Sequence, residues 1–346
     1  MQCYYIDLYT EFSCLAGACP STCCAGWKIV VDEEAVQRFS LLENDILKND
    51  IFSHIQKKEG EYRFQNTPDG RCSMLDEDGL CRIQRNLEEK DLCHTCRKFP
   101  RLSGIVNGQM WLSMAASCPV VVKYLWKQKI KWMQKDAKNS MEPVESESFF
   151  IVQEGLAFYG SQKAEILLRK KEGERMEGKE KLLWHVKKQW SRFSLFLEVV
   201  EGIFGLLAEF PEKKYMAEYF RYFEREEQKV VEIIEDMDAF ENIWQKKIEE
   251  FISNYLEYRL FSRHLEYPRE AVLDTYCQVL GELSLFYIIS FSRFAEKGSL
   301  SEEEIVENIN QTYRFCAHGK KLSHQVTEWF HSLFEEKIEY IFLLQG

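Results

Sequence analysis

The sequence lacks a surplus of positive charge. Its 45 Lys and Arg residues are outnumbered by 56 Asp and Glu residues, which gives a formal net charge of −11. The nearest approach to a basic stretch, residues 169–190, has acidic residues interleaved, as expected of a solvated helix face. Because a surface that binds phosphate groups needs a basic excess, we expect no nucleic-acid partner.

Long apolar runs are also missing. Residues 1–12 contain Asp7 and Glu11 and lack the basic and apolar regions of a secretory signal. The most apolar stretch elsewhere, Leu283 to Phe291, contains two serines and falls well short of the ~20 residues that cross a bilayer. These absences predict a cytoplasmic protein with no membrane partner.

Two common nucleotide-binding motifs are absent as well. The chain has no P-loop, and no predicted strand is followed by a Gly-x-Gly turn and a helix. A Rossmann-type domain is therefore not predicted, and any nucleotide-like cofactor must bind in another way.

Cysteine, by contrast, is abundant and clustered, with ten of the twelve cysteines in the first 118 residues. A chain of 346 residues can bury a core without cross-links and shows no export signal, so disulfides are disfavoured. Soft thiolates suit zinc and iron–sulfur clusters. The predicted metal ligands are Cys14, Cys19, Cys23, Cys24, Cys72, Cys81, Cys93, Cys96 and Cys118.

The spacing of these nine residues forms two groupings. The first is Cys14-x4-Cys19-x3-Cys23-Cys24, and the second is Cys72-x8-Cys81-x11-Cys93-x2-Cys96 with Cys118 after it. Turn residues before Cys72 and before Cys81 favour a tight loop that brings these two together. Spacing alone leaves zinc and iron–sulfur open.

Individual residues refine this picture. Cys23 and Cys24 are neighbours whose side chains are expected to diverge, so one is structural or serves a second site. Cys3 stands apart in an apolar and aromatic setting and is expected to be a packed residue. His94 lies between two predicted ligands but is expected to support them or to lie on the surface.

The predicted fold is mainly α, with an irregular, Cys-rich, metal-binding N-terminal domain followed by an α-helical C-terminal domain. The predicted boundaries are 1–125 for the first domain, 126–147 for a helix end and linker, and 148–346 for the second domain. In the first domain, regular structure is expected to be sparse, with short strands or irregular structure at Trp27 to Val31 and Ile105 to Met110 and a helix over Val120 to Gln134.

The second domain shows one amphipathic pattern after another. Ser301 and Glu304 form a predicted capping box, Gly298 and Gly319 stand where helices end, and most aromatic residues are expected in the core. The predicted helices are 148–171, 179–210, 212–236, 238–265, 269–297, 301–316 and 320–344.

The cysteines of the first part stand in a series of longer motifs, which are Phe12-Ser13-Cys14, Cys19-Pro20-Ser21-Thr22-Cys23-Cys24-Ala25-Gly26-Trp27, Gly70-Arg71-Cys72-Ser73-Met74-Leu75, Gly79-Leu80-Cys81-Arg82-Ile83, Leu92-Cys93-His94-Thr95-Cys96-Arg97-Lys98-Phe99-Pro100-Arg101 and Ser117-Cys118-Pro119. In the order and spacing of these motifs, the Cys-rich part resembles the flagellin lysine-N-methylase family and, more distantly, small bacterial zinc- or iron-chelating proteins. In the helical part, Asn254 to Phe261 resembles the family's second half.

This resemblance implies methyl transfer from S-adenosylmethionine to lysine side chains of flagellin by an enzyme with a Cys-bound [4Fe–4S] cluster. The chain departs from the Cys-x3-Cys-x2-Cys motif of radical enzymes that use this cofactor, because Cys24 follows Cys23 directly. A cluster iron without a fourth protein thiolate would be able to anchor the amino and carboxylate groups of the cofactor. A carboxylate or tyrosine at the domain interface is expected to take the lysine proton.

The residues themselves leave a second function open. In that alternative, the protein is a non-enzymatic zinc- or iron-chelating protein whose helical domain docks a partner. An electron-transfer role is weaker because no flavin site is evident. The large helical domain favours the enzyme, since chelation alone does not need it. Neither the catalytic residues nor the cofactor-binding residues are assigned by the sequence.

Overall fold

A computed structural model describes residues 3–106, 109–135, 141–143, 230–266 and 272–317, together with single residues and short stretches between 202 and 223 and between 324 and 332. The predicted helices 148–171, 179–210 and 320–344 lie outside the continuously described residues. Among the described residues, none of the helices combines the length and the hydropathy that a bilayer span needs.

The Cys-rich part contains eight strands among its described residues. The strands are β1 Cys3–Ile6, β2 Val30–Val31, β3 Ile55–Lys58, β4 Glu61–Phe64, β5 Arg101–Val106, β6 Gln109–Met114, β7 Trp132–Lys135 and β8 Met141–Pro143. The helices of the same part are α1 Leu8–Glu11, α2 Glu33–Ser40, α3 Asp45–Ser53, α4 Arg82–Asn86, α5 His94–Lys98 and α6 Pro119–Lys127, with 3-10 turns at Ala16–Ala18 and Glu89–Asp91.

The strands form two sheets. The larger sheet has the order β5-β6-β1-β7-β8, in which β1 runs parallel to β6 and the other neighbours are antiparallel. The smaller sheet has the order β2-β4-β3 and is antiparallel throughout. The prediction that regular structure is sparse here is therefore wrong.

Local predictions in this part fare differently. The stretch from Trp27 to Val31 contains irregular structure and the short strand Val30–Val31, as the prediction allows. Residues 105–106 end β5 and residues 109–110 begin β6, and these two strands pair with each other instead of forming one strand. The helix predicted over 120–134 is α6, which ends at Lys127, and Trp132 begins β7 beside β1. Short strands thus occur within 126–147, and the division into domains stays a prediction.

Three long helices follow among the residues that the structure describes. They are α7 Val230–Glu266, α8 Val272–Lys297 and α9 Glu302–Ala317. The break predicted between 236 and 238 is wrong, since α7 continues through it for 37 residues. The described residues among 216–223 adopt 3-10 geometry, whereas an α-helix is predicted over 212–236, and within that range the described part of α7 starts at Val230.

The connection between α8 and α9 follows its local sequence signals. Gly298 adopts φ +74° after α8, a conformation that L-residues with side chains rarely adopt. Ser301 and Glu304 exchange hydrogen bonds of 2.9 and 3.2 Å between the side chain of one and the backbone N–H of the other. This confirms the predicted capping box.

A buried ion pair joins α7 to α8. The Arg259 guanidinium donates to both carboxylate oxygens of Glu282, at 3.0 and 3.1 Å, and both side chains are fully buried. Tyr255 donates a third hydrogen bond of 2.9 Å to the same carboxylate. Because a buried charge without its partner is costly, this network fixes how the two helices face each other.

The hydrophobic residues form two cores among the described residues. The large core joins β1, β6, β7 and α6 to the long helices, and Trp111 stacks on Phe261 across it with ring centroids 4.7 Å apart. The small core lies under the smaller sheet, α2 and α3, and its buried residues include Cys72 and Cys93. Two predicted ligands are therefore also core residues of the Cys-rich part.

Asn254 on α7 anchors the end of α6. Its side-chain amide donates to the carbonyls of Leu125 and Gln128, at 2.6 and 2.9 Å, and its oxygen accepts from the N–H of Ile130 at 3.0 Å. Asn254 thus caps the C-terminus of α6 and holds the chain that leads to β7.

Replacing Asn254 with alanine should lower the free energy of unfolding by roughly 2–3 kcal/mol, because three buried backbone groups lose their partner. Thermal and chemical denaturation measure the loss. Glu250→Ala, one turn earlier on the same helix and exposed, is the control and should change stability little. Equal effects of the two substitutions would contradict the anchoring role.

Candidate functional site

One cavity collects most of the predicted ligands. It has a volume of about 360 Å³, and seven of the nine cysteines line it, namely Cys14, Cys19, Cys23, Cys24, Cys81, Cys96 and Cys118. Cys72 and Cys93 are buried in the small core. Cys93 hydrogen-bonds to Cys96, and Cys72 interacts electrostatically with Cys24 and Cys81. The structure therefore brings residues from both sequence groupings to one place.

The first grouping lies on an irregular loop with a 3-10 turn at Ala16–Ala18. The N–H of Ala16 donates to the Cys14 sulfur at 3.3 Å, and the Cys19 thiol donates to the carbonyl of Ser21 at 3.4 Å. The Trp27 indole N–H donates to the carbonyl of Cys23 at 2.6 Å. Local hydrogen bonds thus shape a loop that has little regular structure.

Helix α9 holds this loop against the start of α6. The Arg314 guanidinium donates to the carbonyls of Ser21, Thr22 and Ser117, at 3.0, 2.9 and 3.4 Å. Asn310 accepts from the Ser21 hydroxyl at 3.0 Å and donates to the carbonyl of Ala116 at 3.2 Å. Two side chains of the helical part therefore set the position of Cys23 relative to Cys118.

The second grouping begins with two turns. Gly70 and Gly79 adopt φ +79° and +78°, as tight turns require. Leu75 pairs with Cys81 across the second turn, and the thiols of Cys72 and Cys81 interact electrostatically. The predicted tight loop is confirmed. The N–H of Cys72 also donates to the carbonyl of Cys24 at 2.6 Å, which joins the two groupings through the backbone.

Cys93 and Cys96 lie at the start of α5. Cys93 is its N-cap residue, and Cys96 follows within the first turn. The Cys96 thiol hydrogen-bonds to Cys93, which raises the pKa of Cys96 and lowers that of Cys93. His94 is exposed, and its backbone N–H donates to Asp32 at 2.6 Å. This confirms the prediction that His94 lies on the surface.

The neighbours Cys23 and Cys24 influence each other's ionisation, and the expectation that they do not share one metal stays a prediction. A hydrogen bond between their thiols is the largest effect on the pKa of both residues. That bond lowers the pKa of Cys24 to about 7, with help from Thr22, Arg71 and Arg314, and raises the pKa of Cys23. Cys24 is therefore the more easily ionised of the two thiols.

Burial acts in the opposite direction on other thiols. It is the largest effect raising the pKa of Cys72 to about 12 and that of Cys118 to about 11, and it also raises the pKa of Cys19 and Cys81. A metal binds thiolates rather than thiols. Any metal that binds here must therefore displace several protons.

Two further cysteines stay outside the cavity lining. Cys3 lies half-buried on β1, and Cys316 is buried within α9 as a small core residue. Among the residues that the structure describes, no three Cys, His, Asp or Glu side chains are placed to hold a single metal ion together. The nine thiols are thus gathered without forming a preassembled single-ion site.

Other side chains complete the cavity. Trp27 lies against Phe99 with ring centroids 6.1 Å apart, and the Arg101 guanidinium lies over the Phe12 ring at 5.2 Å. Glu89 is the one carboxylate among the lining residues described. Sequence reasoning assigned no role to these residues, although Trp27, Phe99 and Arg101 belong to the same motifs as the cysteines. No sequence signal distinguished Glu89 from other acids.

Three curated relatives match part of the chain. The "Lysine-N-methylase" proteins of Salmonella typhimurium and Salmonella choleraesuis are each 35% identical over 117 residues, which cover 32% of this chain and 29% of the relative. The "Flagellar biosynthetic protein FliU" of Salmonella muenchen is 34% identical over 117 residues, covering 32% of this chain and 69% of that protein. No family model matches, and no solved structure is similar. The chain thus spans less than a third of the two methylases.

Replacing Arg314 with methionine should loosen the first cysteine loop, because three backbone carbonyls lose their donor while the aliphatic volume remains. After chelator treatment, amide hydrogen exchange of residues 19–24 should become about tenfold faster or more. Arg293→Met is the matched control, since Arg293 bonds to Glu307 and Asn308 of α9 and to neither cysteine loop. Unchanged hydrogen exchange in the Arg314 variant would show that the hydrogen bonds from Arg314 do not hold the first cysteine loop in place.

Proposed function

The chain belongs to the flagellin lysine-N-methylase family, and on that premise we propose that it transfers methyl groups from S-adenosylmethionine to lysine side chains of flagellin, with a [4Fe–4S] cluster held by its cysteines. The observation that supports this most is the cavity lined by seven cysteines from separate segments, in a chain whose relatives are named for lysine methylation and flagellar biosynthesis.

The donor set suits the proposed cluster. All seven candidate ligands in the lining are thiols, and soft sulfur donors favour iron–sulfur clusters and zinc. Thiolates around one zinc ion lie about 3.8 Å apart, from Zn–S bonds of about 2.3 Å in tetrahedral geometry. Cluster thiolates each bind a different iron atom and stand farther apart, which is compatible with gathered thiols that do not converge on a single point.

The bound cluster would supply an iron atom able to hold the amino and carboxylate groups of the cofactor. The chain's own residues would shape the space beside it. Phe12, Trp27 and Phe99 give apolar walls, and Arg101 gives a positive charge among them. Apolar walls reduce the access of water to a reacting amine.

Lysine must lose a proton before it accepts a methyl group. Its ammonium has an ordinary pKa of about 10.4, so the amine is scarce at neutral pH unless the site desolvates it. We propose that Glu89 attracts the ammonium to the cavity. Transfer to apolar surroundings then favours the neutral amine, and water or Glu89 takes the proton.

The expected base at the interface of the two parts has no support from the geometry. Tyr258 of α7 is buried and hydrogen-bonds to the backbone of Met114. Glu257 accepts the Trp132 indole N–H at 2.6 Å. Neither side chain belongs to the cavity lining, whereas Glu89 does. We therefore assign to Glu89 in the cavity, instead of to a residue at the interface of the two parts, the role of the carboxylate that attracts the lysine and can take its proton.

Protein purified without oxygen should be brown, contain iron and sulfide, and transfer label from S-adenosylmethionine to lysines of unmethylated flagellin. Cys23→Ser should lose most of this transfer because a ligand is removed. Cys3→Ser, outside the cavity, should retain it. A colourless zinc protein without transfer would instead support the chelating alternative, and iron-replete protein without transfer would refute the enzyme.

Glu89→Gln should raise the KM for flagellin about two- to fivefold, the size expected for the loss of an exposed ion pair, and leave the iron content unchanged. Steady-state kinetics at several flagellin concentrations give the value. The control is Glu77→Gln, an exposed acid outside the cavity lining. If the KM values of the two variants and the unaltered protein agree, Glu89 does not attract the substrate.

A further inference from the structure

The number of gathered thiols exceeds what one metal centre uses. A tetrahedral ion or a [4Fe–4S] cluster takes about four thiolates. Nine cysteines are gathered here, seven in the cavity lining and two buried beside it. The excess calls for a physical explanation.

Position in the fold separates the nine into two sets. The rear set comprises the cysteines that belong to the small core or pack against it, and the front set comprises the others. The rear set is Cys24, Cys72, Cys81, Cys93 and Cys96. The front set is Cys14, Cys19, Cys23 and Cys118.

The backbone holds each set together by different contacts. In the rear set, the N–H of Cys72 bonds to the carbonyl of Cys24, and Leu75 pairs with Cys81. In the front set, Arg314 binds the carbonyls of Thr22 and Ser117, which precede Cys23 and Cys118. The front set thus depends on α9, while the rear set depends on the small core.

Electrostatic interactions among the thiols follow nearly the same division. Cys14 and Cys118 act on Cys23, and Cys14 and Cys19 act on Cys118. Within the rear set, Cys24 acts on Cys72, Cys81 and Cys96. The sets meet where Cys24 interacts with Cys23 and Cys19.

We propose that the chain holds two adjacent thiolate-ligated metal centres, one in the front set and one in the rear set, divided between the neighbours Cys23 and Cys24. This division rests on the proposed function only in taking the cysteines as metal ligands. It adds to that function an assignment of each cysteine to one centre and a different role for each centre.

The surroundings of the two sets determine these roles. Two rear cysteines, Cys72 and Cys93, are buried members of the small core, whereas Cys24, Cys81 and Cys96 are half-buried and line the cavity. In the front set, Cys118 is buried, Cys19 and Cys23 are half-buried, and Cys14 is exposed. Because only the rear set includes ligands within the small core, we expect the rear centre to release its metal more slowly than the front centre and to stabilise that core.

The test uses the full chain, reconstituted without oxygen with ferrous iron and sulfide, and counts iron, sulfide and zinc per chain. Cys19→Ser with Cys118→Ser removes two front ligands, and Cys81→Ser with Cys96→Ser removes two rear ligands. Cys3→Ser is the control. Two centres per unaltered chain are expected, with one remaining in the front variant and the fold intact by circular dichroism.

The rear variant is expected to lose one centre and to unfold at a lower temperature. Because it also risks failing to fold, chelator release from the unaltered chain gives a second measurement. Release should occur in two phases of similar amplitude, and the front variant should lack the fast phase. A single phase, one centre per chain, or loss of all metal from a folded front variant would overturn the proposal.

The metal count tests the division into two centres, and the transfer assay tests the methyltransferase, so either can be contradicted without the other. Two centres without transfer to flagellin would uphold the division and contradict the methyltransferase. Transfer by protein that contains one centre would uphold the enzyme and contradict the division.

Discussion

Thiols from four separate segments lie around one cavity, and their proximity is maintained by hydrogen bonds to the backbone. Arg314 contributes most of these bonds at the front, where it reaches the loop before Cys23 and the residue before Cys118. At the rear, the backbone bond from Cys72 to Cys24 does the same. The sulfur atoms are thus positioned by the folded chain before any metal is considered.

The two cores give this arrangement its mechanical support. The small core surrounds the rear cysteines, while the large core fixes α6 and α9, whose residues hold the front loop. The long helices far from the cavity also help to fix the position of α9. The buried pair of Arg259 and Glu282 fixes α7 against α8, and the capped turn at Ser301 sets where α9 begins. The helical part therefore positions the cavity as well as adding to the core.

Features that depend on neighbouring residues, such as turns and helix caps, were predicted from the sequence. Gly298 and the pair Ser301 and Glu304 determine one turn through their own backbone and side-chain bonds, and the structure follows them. Residues 230–266 contain no proline or glycine to interrupt a helix, so the predicted break was unfounded. The clustering of cysteines likewise identified which residues would meet, because chemical type is visible without coordinates.

Long-range pairing was not visible in the sequence. Trp132 belongs to a strand because Ile6 lies beside it, 126 positions earlier in the chain, and its apolar pattern is equally compatible with a helix. The role of Arg314 was missed for the same reason, since its partners lie almost 300 residues away. Glu89 joins the cavity only through the fold. Sequence spacing therefore identified the donors but not the residues that position them.

The most direct test of the central claim measures the proximity of the thiols. The chelated protein is treated with a short bifunctional thiol cross-linker, and the linked peptides are identified by mass spectrometry. The structure predicts links between segments, joining Cys19 to Cys118 and Cys24 to Cys81, with Cys3 labelled only singly. Links confined to neighbours within each loop would contradict the gathering of these cysteines around one cavity.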